Sequence, residues 1–282
     1  MVVQHNMQAA NANRMLGGNV KAVAKSTEKL SSGYKVNRAA DDAAGLSISE
    51  KMRNQIRGIN QAVSNSEDGQ YLIQTAEGNM NEIHSILQRM GELATKAANE
   101  VNATDDRKAI ADEVKQLVCE IDNIKTKAQF NGKYLLDGTK SSIELQVGAN
   151  SNETMTISLN EISSKTLDLA DFMTVTSYSG LADGTATGTT KAHDLMDKVT
   201  AAVKTVSARR SQLGAIQNRL DYTINNLENY SENLTSSESN IRDTDMATEM
   251  VNYSKNNILQ QAAQSMLAQA NQSNQGVLSL LQ

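Results

Sequence analysis

The chain has 282 residues and a formal net charge of −5, which leaves no basic footprint for nucleic acid. Aromatic residues are 3%, with two Phe, no Trp and no proline, so bulky side chains are too few for a thick α/β core and suit the thin cores of helical rods. A single cysteine, Cys119, excludes an intramolecular disulfide.

The opening residues, Met1 to Met7, have neither a basic region nor a continuous apolar run, so no cleaved secretory signal is expected. No later stretch approaches the roughly 18 apolar residues of a membrane span. Composition alone therefore reads as a soluble, cytoplasmic chain. From about Val3 to Leu30 a helix is predicted, with Leu16, Val20, Val23, Thr27 and Leu30 alternating gaps of four and three. Gly33 ends it, glycine being suited to the left-handed position after a helix. A polar connector follows to Gly45. A long helix is then predicted from about Leu46 to Asn99, its stripe formed by Ile56, Ile59, Val63, Ile73, Met80, Ile83, Leu87, Met90, Ala94 and Ala97.

Asn102–Asp106 breaks the pattern with capping residues. The next helix runs to about Gln129 on Ile110, Val114, Leu117, Ile121, Ile124 and Ala128, with Cys119 opposite that seam. Alternation of apolar and polar residues in 142–147 and 154–159, around the turn residues Gly148–Asn152, predicts one small β-hairpin near 142–160. Residues 163–190, rich in Gly, Thr, Ser and Asp, read as a short, irregular surface tip. Helix returns near Lys191. Its stripe, Leu195, Val199, Ala202, Val206, Leu213, Ile216, Leu220, Leu227, Leu234 and Ile241, keeps a 3.5-residue repeat.

Beyond Lys255 no charged side chain occurs. Ile258, Leu259, Met266, Leu267, Val277, Leu278, Leu280 and Leu281 form the apolar set of a final helix that gains little by itself. Each large apolar side chain left in water gives up roughly 1.5–3 kcal/mol of possible burial. Since the two terminal segments share composition and period, antiparallel pairing is the economical arrangement. The predicted fold is mainly α: a long antiparallel coiled-coil rod with one small hairpin and a short tip.

No catalytic constellation forms. His5, His84 and His193 lack a second ligand at helical spacing, and Cys119 has no histidine nearby. Neither GxxxxGK[ST] nor GxGxxG occurs. Asp41–Asp42 and Asp105–Asp106 sit where carboxylates cap backbone amides. Met7, Met15, Met246, Met250 and Met266 lie on helical stripes, where methionine supplies adaptable packing. No enzyme, cofactor or metal site is expected.

Residues 30–49, from Leu30–Ser31–Ser32–Gly33–Tyr34 through Asn37–Arg38–Ala39–Ala40–Asp41–Asp42 to Ser49, resemble the N-terminal signature of bacterial flagellin. Gln129–Gly138 and Leu145–Ala149 are similar to later family segments. Ser239–Ala247 and Val277–Leu281 are similar to the C-terminal region. The resemblance spans all but about 163–190.

That resemblance implies a D0 coiled coil at 1–44 with 240–282, forming the filament core, and a D1 rod at 45–239. It implies a homopolymer built on terminal-helix positions: Leu16, Val20, Val23, Leu30, Ile258, Leu259, Met266, Leu267, Val277, Leu278, Leu280 and Leu281. It replaces the cytoplasmic reading with an extracellular one, the subunit leaving by flagellar type III export without a cleaved signal. A flagellin export chaperone, the filament cap and hook-junction proteins are implied partners. The segment Gln88–Ala94 resembles the family's surface for the host receptor TLR5, with Gln88, Arg89, Glu92, Leu93 and Glu113 at matching positions and Gly91 where many receptor-active members carry arginine. The alternatives are a hook–filament junction or adaptor protein that assembles only as a ring, and a secreted coiled coil inserted in membranes. The uncharged Gln/Asn-rich terminal face argues against membrane insertion.

Overall fold

The computed structural model describes residues 6–173, 181 and 186–279. Among them the helices are α1 (Met7–Ser32), α2 (Ala43–Ala97), α3 (Thr104–Lys127), α4 (Ala186–Arg242) and α5 (Met246–Ser279). The strands are β1 (Gln129–Phe130), β2 (Lys133–Tyr134), β3 (Ser142–Gln146) and β4 (Thr154–Ser158). The fold is mainly α, as the alternating gaps of three and four require. The chain divides into two compact units, residues 1–56 with 232–282, and residues 57–231.

The second unit holds the core. On α2 the predicted stripe is withdrawn from water at Ile59, Ile73, Met80, Ile83, Leu87, Met90, Ala94 and Ala97. Leu195, Val199, Ala202, Val206, Leu213 and Leu220 of α4 meet it, and Ile110, Val114, Val118 and Ile121 of α3 complete the cluster. Polar partners fix an antiparallel register between α2 and α4. The Ser231 hydroxyl donates to Asn60 Oδ1 at 3.0 Å, the Gln70 amide donates to Asp221, and the Arg210 guanidinium donates to Glu77 at 3.3 Å. Cys119 is a free, half-buried thiol on α3.

The expected hairpin is β3–β4, antiparallel, with Ile143 opposite Ile157 and Leu145 opposite Met155. A second, two-residue pair that periodicity did not predict joins β1 to β2. Its turn is Asn131–Gly132 with φ of 48° and 74°, the left-handed pair that matches the twist of a hairpin. Two-residue strands are too short to show alternation.

The reading of 163–190 as a surface tip needs correction over its described part. Leu167, Leu169, Phe172 and Leu181 are buried in the core, along with Ser163 and Ser164. Asp122 on α3 anchors the segment, its carboxylate accepting the Ser164 N–H at 3.0 Å and the hydroxyl at 2.7 Å. Irregular backbone hides the period, but Leu167, Leu169 and Phe172 remain apolar enough to dock. Residues 174–180 and 182–185 of the predicted tip lie outside the described residues.

Close approach of the β3–β4 turn to α2 depends on Gly58, where an added Cβ would lie 2.9 Å from Ala149 Cβ and 3.4 Å from its Cα. Alanine normally gains about 0.5–1 kcal/mol over glycine inside a helix. Here the rigid neighbour must retreat, so Gly58→Ala is expected to be net destabilising by about 1 kcal/mol. A lowered urea midpoint with an unchanged slope would be the corresponding observation.

Candidate assembly surface

The first unit is built from the chain's two ends. Asn6 starts α1, its side-chain oxygen accepting the Ala9 N–H at 3.0 Å, and Gly33 closes it at φ 76°, donating to Lys29 O at 2.8 Å. Helix α5 starts at Asp245, whose carboxylate accepts the Ala247 and Thr248 N–H groups at 2.9 and 3.2 Å. The Thr248 hydroxyl and these amides hold the Asp245 carboxyl below its ordinary range. Asp42 likewise accepts the Gly45 N–H at 2.9 Å at the start of α2. The acidic residues at these helix starts cap amides.

α1 and α5 run antiparallel. Asn6 Nδ2 donates to Ala270 O at 3.1 Å, Asn19 Nδ2 donates to Leu259 O at 3.3 Å, and Lys29 approaches Glu249 at 3.6 Å. Where the chain passes from α4 to α5, the Lys35 N–H donates to Arg242 O at 2.7 Å and the Thr244 N–H donates to Gly33 O at 2.9 Å. The Arg242 guanidinium lies 4.7 Å from the Tyr34 ring centroid and 2.8 Å from Glu50. The Lys25 ammonium, 2.8 Å from Asp41, holds that carboxyl below its ordinary 3.8. A depressed carboxylate adds stability above about pH 3.8, and that stability disappears as pH falls through its folded value.

This polar clasp closes over little core. Val36, 2% exposed, is the only fully buried apolar side chain among the described residues of the unit. Of the proposed polymerisation residues, Leu16, Val23, Leu30 and Leu267 are half-buried, while Val20, Leu259, Met266 and Ile258 are exposed. The side chains of Val277 and Leu278, and all of Leu280 and Leu281, lie outside the described residues. A groove of about 640 Å³ opens between the two helices, lined by Asn11, Ala12, Met15, Ala263, Met266 and Gln269 among others. Among the described residues no helix is long and apolar enough to cross a membrane, and no group of His, Cys, Asp and Glu is placed to hold a metal ion.

On the second unit, four of the five positions around Arg89 share a surface. Arg89 Nε donates to Glu113 Oε1 at 3.0 Å and Arg89 Nη1 donates to Glu92 Oε2 at 2.9 Å, tying α2 to α3. Glu92 first, then Glu113, raises the Arg89 pKa. All three side chains are about half exposed, so the ion pairs themselves contribute little stability. Gln88 is exposed beside His84, at 3.2 Å. Leu93 is different: at 2% exposure it belongs to the core and supports this face from beneath. Its three-residue gap from Met90 is compatible with that inward face. Gly91 has room for a side chain, since an added Cβ would meet only Val199 Cγ1 at an ordinary 3.7 Å. Gly91→Ala is accordingly expected to stabilise the unit by about 0.5–1 kcal/mol, read as a higher melting temperature.

Comparison with known proteins places these features in context. The family model for the bacterial flagellin N-terminal helical region matches residues 3–141, and that for the C-terminal helical region matches residues 196–281. A flagellin of Halalkalibacterium halodurans is 52% identical over 281 residues, covering 100% of both chains. A flagellin of Bacillus subtilis is 46% identical over 303 residues, again covering 100% of both. The crystal structure of Bacillus cereus flagellin matches at 33% identity with a TM-score of 0.48, covering 58% of this chain and 88% of that one.

Proposed function

The chain belongs to the bacterial flagellin family, and from that premise we propose that it polymerises through the open faces of α1 and α5. As a flagellin it is a structural component of the flagellar filament and not an enzyme. The observation that carries the mechanism is the pairing of two long helices with almost no core of their own. Val20, Ile258, Leu259 and Met266 remain in water on the free subunit. Burial against neighbouring copies stabilises each such side chain by roughly 1.5–3 kcal/mol, enough to offset the ordering of marginal helices. In this reading residues 1–44 with 240–282 form the D0 filament core and residues 45–239 the D1 rod. The division into two compact units, changing over at Ile56 and Glu232, supports a two-domain subunit.

Subunits of this kind leave by type III export without a cleaved signal, a chaperone covering the C-terminal helix until then. Outside the cell they join the filament between the hook-junction proteins and the cap. The test is seeded growth: heat-depolymerised monomer mixed with filament fragments and followed by negative-stain electron microscopy. Long filaments are expected. Failure to extend while circular dichroism shows folded helix would favour a junction or adaptor protein.

TLR5 recognition is proposed for the exposed face formed by Gln88, Arg89, Glu92 and Glu113, supported by their shared surface on α2 and α3. Arg89→Ala removes the guanidinium common to both carboxylates and should lower signalling in a TLR5 reporter cell by about tenfold, the loss expected of one interface anchor. Undiminished signalling would remove Arg89 from that role.

A further inference from the structure

Of the twelve methionines, Met1 and the side chain of Met173 lie outside the described residues, Met52 on α2 is half-buried, and the other nine are divided between the two units. Met7, Met15, Met246, Met250 and Met266 are 73%, 58%, 48%, 50% and 61% exposed, and all five lie on α1 or α5. In the second unit Met80, Met90 and Met155 are buried at 3%, 0% and 8% exposure, and Met196 is half-buried. Met15 and Met266 line the same groove between the terminal helices, and Met7 lines the adjoining hollow beside Ala10 and Arg14. The exposed methionines among the described residues therefore all lie on the two helices proposed to bury during assembly.

We propose that these five methionines form a peroxide-sensitive modification surface, and that their oxidation in the free subunit blocks its addition to a filament. The inference rests on the reading that α1 and α5 bury against neighbouring copies. In the modifying step the thioether sulfur attacks one oxygen of hydrogen peroxide. The O–O bond breaks, an S–O bond forms, and the second oxygen leaves as water with both peroxide protons. Sulfur loses two electrons and peroxide gains them.

The product is a polar sulfoxide on a side chain that had been flexible and apolar. Burying its polarised S–O bond against an apolar neighbour is unfavourable, so the face loses the adaptable packing that methionine supplies. Because Met80, Met90 and Met155 are shielded, the same treatment leaves the core of the second unit intact. Once a subunit is assembled its exposed sulfur atoms are covered, so the filament resists what the monomer does not. A methionine sulfoxide reductase, acting on the free subunit, reverses the block.

The experiment treats full-length monomer with graded hydrogen peroxide, maps sulfoxides by peptide mass spectrometry, and measures seeded elongation. Oxidation is expected at the five terminal-helix methionines before the buried three, with unchanged helical circular dichroism and elongation slowed by about tenfold or more. A variant carrying Met7→Leu, Met15→Leu, Met246→Leu, Met250→Leu and Met266→Leu keeps similar volume and is read against its own untreated elongation rate, which peroxide should leave unchanged. Restoration by the reductase is read on the wild-type chain, independently of that variant. Undiminished elongation of fully oxidised monomer, or an equal loss in the leucine variant, would overturn the inference. An untreated subunit that never elongates would overturn the assembly reading and this inference with it.

Discussion

Removal of residues 241–282 is expected to abolish seeded elongation, a fall of at least about a hundredfold, while residues 57–231 stay folded. The deletion takes away all of α5 and with it Val251, Ile258, Leu259 and Met266, apolar side chains exposed on the free subunit. Burial of only two of them against a neighbour supplies roughly 3–6 kcal/mol, and about 2.8 kcal/mol already corresponds to a hundredfold in an equilibrium. Helix α1 also loses the Ala270 and Leu259 carbonyls that accept from Asn6 and Asn19, so it has no partner along its length. The second unit keeps its own core from Ile59 to Leu220. The check is paired: electron microscopy for growth, and thermal unfolding followed by circular dichroism for the retained unit. Filaments built by the truncated chain would refute the mechanism.

The second large effect falls on a residue with no direct part in assembly. Arg107, at the start of α3, is 2% exposed and is among the largest fully buried side chains of the chain. Its Nη2 donates at 3.3 Å to the carbonyl of Asn99, just past the end of α2, where helix carbonyls lack intrahelical donors. A cation at that end also meets the favourable pole of the α2 dipole. Arg107→Ala would open a cavity beneath the α2–α3 turn and strip a charged donor from the Asn99 carbonyl. The expected cost is about 2–5 kcal/mol, well above that of any exposed ion pair in the protein. For a unit of this size that lowers the melting temperature by roughly 4–20 °C, measurable by calorimetry. Arg107→Lys keeps the charge but not the planar fork, and should recover only part of the loss.

Arg107 also marks where sequence reasoning ran out. An arginine following Asp105–Asp106 in a first helical turn reads as a solvated charge, and nothing in the spacing shows that the turn folds over it. Burial of its long stem is a tertiary outcome. The docked segment around Leu167, Leu169 and Phe172 escaped for a related reason, since irregular backbone has no period from which to infer an inward face. By contrast, the helices were legible because one stripe faces one partner for many turns. Gly33 was legible as a terminator because the left-handed position after a helix selects glycine. Leu93 was misplaced: resemblance put it on a receptor surface and the predicted stripe passed over it, although its three-residue gap from Met90 is compatible with the inward face that it occupies. The open faces of α1 and α5 were foreshadowed by an apolar set too sparse to sustain an isolated helix.

The near-absence of core in the terminal unit has a kinetic corollary. Two free subunits meeting in solution offer each other only terminal helices with almost no core, and both must give up translational and rotational freedom for a single shared contact. A subunit arriving at an existing tip finds several neighbours already in place. Spontaneous initiation should therefore lag far behind growth at an end, with a threshold concentration below which unseeded solutions remain monomeric. The same poverty of internal contacts that leaves the ends of this chain unfinished makes a pre-existing tip the template for the next addition.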